Sequence, residues 1–211
     1  SIMRPNVISD VKNSIAPRTT VINSAATLSF VPYTHSPITN LEALTSIDTL
    51  AGETLADARW RGYSLFKSGA LYSGLLTILP DLQADFVYAV DGYSNTYGDI
   101  WQWKIRSTNS EVEAVYAALY QIIANCNFYL DKIEGVMAAT TDDTKLQTLD
   151  IYTGEVYAIR ALAYSELIKC FCEAYDENKE QLGVVLRTSY FNEEPVKRAS
   201  LKDSYKLVLD D

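Results

Sequence analysis

Two stretches of this chain constrain its fold more than any other. In "EVEAVYAALYQIIANCNFYLDKIEG", Val112, Tyr116, Leu119, Tyr120, Ile123, Asn127 and Leu130 recur at three and four residues, which places them on one face of an α-helix. Gly135 is a natural stop for that helix. After the polar loop "AATTDDT", a second long helical pattern follows in "KLQTLDIYTGEVYAIRALAYSELIKCFCEAYD", with Gly154 inside it. Two long helices joined by so short a loop lie antiparallel. The expected fold class is all-α.

The flanking segments fit that class. "RASLKDSYKLVLDD" opens a further helix with Ser200 as N-cap and Asp203 in its first turn. Upstream, Ile47, Leu50, Leu55, Ala58, Tyr63 and Phe66 have broadly helical spacing, and Ser46 is a plausible N-cap. "GALYSGLLTILPDL" reads as a shorter apolar helix stopped before Pro80. "DGYSNTYGDIWQWKIRSTNS" reads as a long loop, from its Gly, Asn, Asp and Ser content. Residues 1–45 are interrupted by Pro5, Pro17, Pro32 and Pro37 and are expected to form an extended arm. The organisation is thus an arm over 1–45 and a helical domain over 46–211.

From Glu111 to Lys145 the helix–loop–helix unit is close to the size of a tetratricopeptide repeat. Small residues for close helix contact are available in Ala117, Ala118, Ala158 and Ala161. The strict repeat consensus is missing, which leaves an irregular, tetratricopeptide-like arrangement of helical pairs. The last helical pattern is still open at Asp211, as expected of a piece of a longer protein.

A net charge of −9 with a pI near 4.7 argues against a nucleic-acid partner, whose phosphates require clustered Lys and Arg. Three cysteines, Cys126, Cys170 and Cys172, form neither a zinc set nor a CxxC motif and read as small buried apolar residues. The one histidine, His35, sits in the arm, away from any ligand or nucleophile pattern. "DGYSNTYGD" lacks the glycine and closing glutamate of a calcium loop, and no glycine-rich phosphate loop is present. No cofactor is expected, and no carboxylate pair is singled out for hydrolysis. No apolar run approaches the roughly 18 residues that span a bilayer, and the first residues do not resemble a signal peptide.

Two features call for explanation. Arg160 lies within "GEVYAIRALAYSELIKCF", where burial of a guanidinium costs several kcal/mol unless it is paired. It therefore occupies an exposed edge or meets a partner supplied from elsewhere in the chain. The second feature is the loop: Tyr93, Tyr97, Trp101 and Trp103 are interleaved with Asp91, Asn95, Asp99 and Gln102. Aromatic faces take the C–H surfaces of sugars while amides and carboxylates take hydroxyls. The alternative is that the two tryptophans alternate on a short strand, one packing beneath the helices. A long helical groove lined by tyrosine and asparagine would equally suit a protein or peptide ligand.

The two long helices also carry a resemblance. Tyr116, Leu119, Tyr120, Ile123, Asn127 and Leu130 are similar to a W-x-x-L-Y-x-x-I-x-x-x-N-x-x-L helix, with tyrosine in place of tryptophan at 116. Gly154, Glu155, Arg160, Ala161 and Tyr164 match a G-E-A-x-x-L-R-A-x-x-Y-F-x-L helix. "LGVVL" resembles an L-G-V-P-L turn with Val185 replacing proline, and "RASLKDSYKLVLDD" resembles R-A-x-x-x-x-x-Y-x-x-I-x-x-D-L. Together they resemble the SusD/RagB-like outer-membrane glycan-binding lipoproteins of Bacteroidetes, over about 110–211 and more loosely over 46–110. Members of that family are longer, so the chain would be an N-terminal half, although residues 1–45 do not match the usual lipidated start.

The resemblance implies a non-catalytic, cell-surface protein that passes glycan to a SusC-like TonB-dependent transporter. It would be held at the outer membrane through a lipidated cysteine absent from this chain. Tyr116, Tyr120, Asn127, Glu155, Arg160 and Tyr164 would be scaffold, with Arg160 bound to an acid or carbonyl from another helix rather than to Glu155. Glycan contacts would come in part from Tyr93, Asn95, Tyr97, Trp101 and Trp103. Cys172 stands where glycine often follows the phenylalanine, which leaves the end of that helix open.

Overall fold

The computed structural model describes residues 59, 61–90, 96–106, 108–190 and 195–211. The arm expected over 1–45 and the helix start at Ser46 lie outside them. The described part is all-α: α1 (Leu75–Gln83), α2 (Gly98–Trp101), α3 (Ser110–Ala139), α4 (Asp143–Phe171) and α5 (Leu201–Asp210), with residues 61–66 also helical. Among the described residues no helix is long and apolar enough to cross a membrane.

α3 and α4 form the central antiparallel pair. α3 buries Val115, Tyr116, Leu119, Tyr120, Ile122, Ile123, Cys126, Tyr129 and Ile133 along one stripe. α4 answers with Leu149, Val156, Ile159, Ala163, Tyr164, Leu167, Ile168 and Phe171. The turn between them is sharp because Asp142 caps α4: its carboxylate accepts from the Thr144 and Lys145 amides at 2.9 and 3.2 Å. Residues 61–66 lie along α4, where a Cβ on Gly62 would be 3.2 Å from two carbons of Ile159. Arg59 pairs there with Glu155 at 3.0 Å, and its guanidinium sits 4.0 Å from the Tyr152 ring centre.

Four local expectations are corrected by packing. Pro80 lies inside α1, because buried Leu76 and Leu82 anchor the helix on both sides of the proline. Gly135 does not stop α3: Val136 and Met137 still pack on the core, and the helix runs to Ala139. Of the three cysteines, Cys170 is exposed, because it shares the solvent-facing side of α4 with Lys169 while Ile168 and Phe171 face the core. Ala117 and Ala158 are exposed as well, and the close contacts fall instead at Ala163 and Gly62. α4 ends at Phe171 with Cys172 extended, and Arg198 donates to the carbonyls of Phe171, Leu182 and Gly183 beside that end.

The segment after α4 explains the buried polar residues. Residues 183–190 run extended across α3 and α4, with an isolated bridge between Leu182 and Ser200 as their start. Buried backbone N–H and C=O groups need partners, and here side chains supply them. The Tyr120 hydroxyl donates to the Val185 carbonyl at 2.8 Å and accepts from the Val185 amide at 3.1 Å. The Tyr164 hydroxyl does the same for Arg187 at 2.8 and 2.7 Å. Asn127 donates to the Arg187 carbonyl, Ser204 accepts from the Val184 amide, and Asp131 accepts from the Tyr190 amide. Val185, in the position where the resembled turn has proline, uses an N–H that proline lacks. Gly183 fits under α5 only without a Cβ, which would fall 2.0 Å from the Ser204 hydroxyl.

Arg160 is buried, and its partner comes from another helix. Its Nε donates to Asp211 at 2.7 Å, a second nitrogen donates to the other Asp211 oxygen, and a third donates to Asn127 Oδ1 at 2.9 Å. Burial by itself would lower the Arg160 pKa, but the bidentate Asp211 carboxylate outweighs it and raises the value. Glu155 is committed elsewhere, to Arg59 and to the Tyr63 hydroxyl.

Candidate functional site

The aromatic loop ahead of α3 folds as a helical turn rather than a strand. Ile100, 2% exposed, anchors α2 from below, and α1 packs against it. Tyr97 stands at the N-terminus of α2 and its carbonyl accepts from the Ile100 and Trp101 amides at 3.0 Å. The turn ends when the Trp103 amide donates to the Ile100 carbonyl and the Lys104 amide to that of Asp99, at 3.0 and 2.7 Å. This paired termination requires a left-handed residue between the two bonds, normally glycine. Here that residue is Trp103, with φ 58°.

α1 ends in the same way. The Phe86 amide donates to the Asp81 carbonyl at 3.0 Å, and Asp85 takes the left-handed position with φ 59°. Tyr97 has φ 60°, so the positive-φ non-glycine residues among those described, Asp85, Tyr97 and Trp103, all flank this one surface. A left-handed conformation costs an L-residue roughly 1–2 kcal/mol, and such strain concentrates at functional positions.

The strained turns present rings. Phe86 and Tyr88 are 81% and 72% exposed, and Tyr88 faces Trp101 with ring centres 6.4 Å apart and planes at 54°. Tyr97, Trp101 and Trp103 are each half-buried, with Asp99 and Gln102 exposed between them. Lys104 is bonded to the Gln102 side chain at 2.7 Å. Tyr93 and Asn95 lie outside the described residues, as does Asp91. Phe86 and Tyr88 are the rings that sequence reasoning missed. Their signal is the apolar run "DFVYAV", which has no helical period, but its nearness to Trp101 exists only in three dimensions.

The surface can stack against C–H faces and offer a carboxylate and an amide beside them. Among the described residues no group of three or more His, Cys, Asp or Glu is arranged to hold a metal ion.

A long antiparallel helical pair with an extended strap on it and an aromatic turn before it defines a class: an all-α protein of irregular repeat type. A family model for SusD-like proteins, described as "Starch-binding associating with outer membrane", matches residues 77–211. The chain belongs to the SusD-like family. In fold it is similar to the crystal structure of a SusD superfamily protein from Bacteroides thetaiotaomicron VPI-5482, with a TM-score of 0.63 and 16% identity. That alignment covers 75% of this chain and 35% of the other, so the chain spans about a third of that structure's length. No curated protein matches the chain.

Proposed function

We propose that this chain is a non-catalytic, glycan-binding part of a cell-surface protein of the outer membrane. It would deliver oligosaccharide to a SusC-like TonB-dependent transporter and be tethered through a lipidated cysteine outside this sequence. Membership of a family described as starch-binding and outer-membrane-associated supports the coarse reading. The observation that carries the site is the strained pair of turns that present Phe86, Tyr88 and Trp101. Tyr97 and Trp103 complete the described part of the surface, with Tyr93 and Asn95 assigned to it from sequence.

Native-gel retardation against a panel of plant, host and bacterial polysaccharides tests the reading, with Trp101→Ala and Trp103→Ala run alongside. Retardation by one glycan, weakened in either variant, is the expected result. Retardation that survives both variants unchanged would remove this loop from the site.

A second reading, a helical scaffold for a protein or peptide, draws on one observation. Val87 and Val90 are 42% and 60% exposed beside Phe86, and valine has no sugar-stacking face. Val87→Asp with Val90→Asp separates the two: glycan retardation is unaffected on the first reading, while a protein partner would be lost on the second.

A further inference from the structure

A second aromatic surface lies at the same end of the helical pair. Because α3 and α4 are antiparallel, the start of α3 and the end of α4 are neighbours, as the edge-on contact of Tyr116 with Phe171 at 5.2 Å shows. The Trp101 turn leads into the first of these ends, and the segment 173–181 leaves the second. That segment borders an open groove of about 700 Å³, lined by Glu173, Tyr175, Asp176, Asn178, Lys179 and Gln181 among others.

The groove is built rather than loose. Gln181 closes it, its carbonyl oxygen accepting from the Asp176 amide and its nitrogen donating to the Ala174 carbonyl, both at 2.8 Å. Asp176 accepts from the Asn178 amide at 3.0 Å and pairs with Lys179 at 3.0 Å. Tyr175 is 51% exposed and is held edge-on to Tyr205 of α5, with centres 5.7 Å apart and planes at 85°. Among the described residues neither the Tyr175 hydroxyl nor the side chain of Glu177 makes a hydrogen bond, whereas the Asn178 side chain is bonded to Asp176. A ring face and the Glu177 carboxylate are therefore available together. The charged side chains that line the groove are Glu173, Asp176 and Glu177, with Lys179 paired to Asp176.

Resting on the glycan reading above, we propose that this groove is a second contact for the same chain molecule. It takes a further sugar unit of a neutral polysaccharide on Tyr175, and its acid excess rejects uronate or sulfated glycans. The ligand then spans the end of the helical pair, from the Trp101 turn to the Tyr175 groove.

The test measures affinity on the full chain for amylopectin, galactomannan and xyloglucan, with polygalacturonate as the anionic probe. A trisaccharide cut from whichever neutral polymer binds serves as a ligand too short to reach both surfaces. One aromatic contact corresponds to a roughly two- to tenfold change in affinity. Tyr175→Ala is expected to weaken the polymer by that factor and leave the trisaccharide unchanged. Tyr175→Phe, which keeps the ring, retains polymer binding, and Glu177→Ala weakens it without touching the ring. Since Tyr175 and Glu177 lie in a surface loop, unchanged melting of each variant checks the fold. Equal polymer affinity in wild type and Tyr175→Ala, with Trp101→Ala weakened, overturns the second contact and leaves the glycan reading standing. Binding of polygalacturonate as tight as that of the neutral polymers overturns the charge selectivity. Failure of the wild type to bind any of them overturns both readings.

Discussion

Removing the acid that receives Arg160 gives the most demanding test of the scaffold. The Arg160 and Asp211 side chains are 6% and 4% exposed, so neither charge has water to fall back on. In Asp211→Ala the guanidinium loses both carboxylate hydrogen bonds and keeps only Asn127 at 2.9 Å and the Tyr157 ring, 5.3 Å away. Breaking a buried pair by removing one partner costs about 3–5 kcal/mol, because a desolvated charge is left behind. For a domain of this size that corresponds to a fall of roughly 6–20 °C in Tm.

The companion Arg160→Met leaves the Asp211 carboxylate buried and Asn127 Oδ1 without its donor, so it carries a penalty of the same order. The double variant Arg160→Met/Asp211→Ala removes both charges and should be less destabilised than the two single losses combined, by about 2 kcal/mol or more. Urea unfolding of the four proteins measures the cycle. An Asp211→Ala loss below about 1 kcal/mol, or additive single losses, would refute the reasoning, since either means the pair is not desolvated in solution.

Tyr164→Phe should cost about 2–4 kcal/mol by urea unfolding, because it orphans both the N–H and the C=O of Arg187; an ordinary buried hydroxyl would cost about 1. Burial pushes Cys126 up to about 12 from 9.0 and raises Tyr120 and Tyr164 above 10.0. Their folded values lie above the unfolded ones, so this stability is fully present below about pH 9 and is lost as pH rises toward 12. Melting curves across pH 8–12 should show that decline, and Cys126→Ala should flatten its lower part. Trp103→Gly removes a left-handed strain of roughly 1–2 kcal/mol while losing half-buried indole, so its melting point should move far less than for a Trp→Gly change at ordinary φ; glycan retardation should nevertheless weaken.

What could be read from the sequence was what repeats or punctuates locally. The stripe of α3, the Ser200 cap and the inward Asn127 are set by spacing along one element, and all three hold in the structure. Pro80 and Gly135 misled because punctuation is a local preference, and buried leucines on one helix and continued apolar contact on the other override it. Arg160 was legible in kind but not in identity. The sequence left an exposed edge or a partner from elsewhere open, the family resemblance implied an acid or carbonyl from another helix, and which of the 27 acids it meets depends on a chain reversal that brings Asp211 back across 51 residues. The aromatic surface divides the same way: Trp101 and Trp103 stand out by composition, whereas Phe86 and Tyr88 join them only through the turn that ends α1.

Several of the 15 tyrosines in this chain are held in place by their hydroxyls. An extended segment with no sheet to join still has to satisfy its peptide groups, and a tyrosine hydroxyl both donates and accepts at the end of a stiff ring. Tyr120 and Tyr164 therefore act toward residues 185 and 187 as a neighbouring strand would, which phenylalanine could not do. Tyr72 and Tyr63 are committed too, to Glu166 and Glu155, although each is more than 40% exposed. Exposure alone would have sent both to the binding surface. By contrast, the hydroxyls of Tyr88, Tyr97 and Tyr175 make no hydrogen bond among the described residues, and these rings belong to the two surfaces proposed for the glycan. A ring with an open face and an uncommitted hydroxyl contributes little to the fold that phenylalanine or a smaller residue would not. The glycan reading proposed above gives such a ring a role, since a sugar has both C–H faces and hydroxyls to meet.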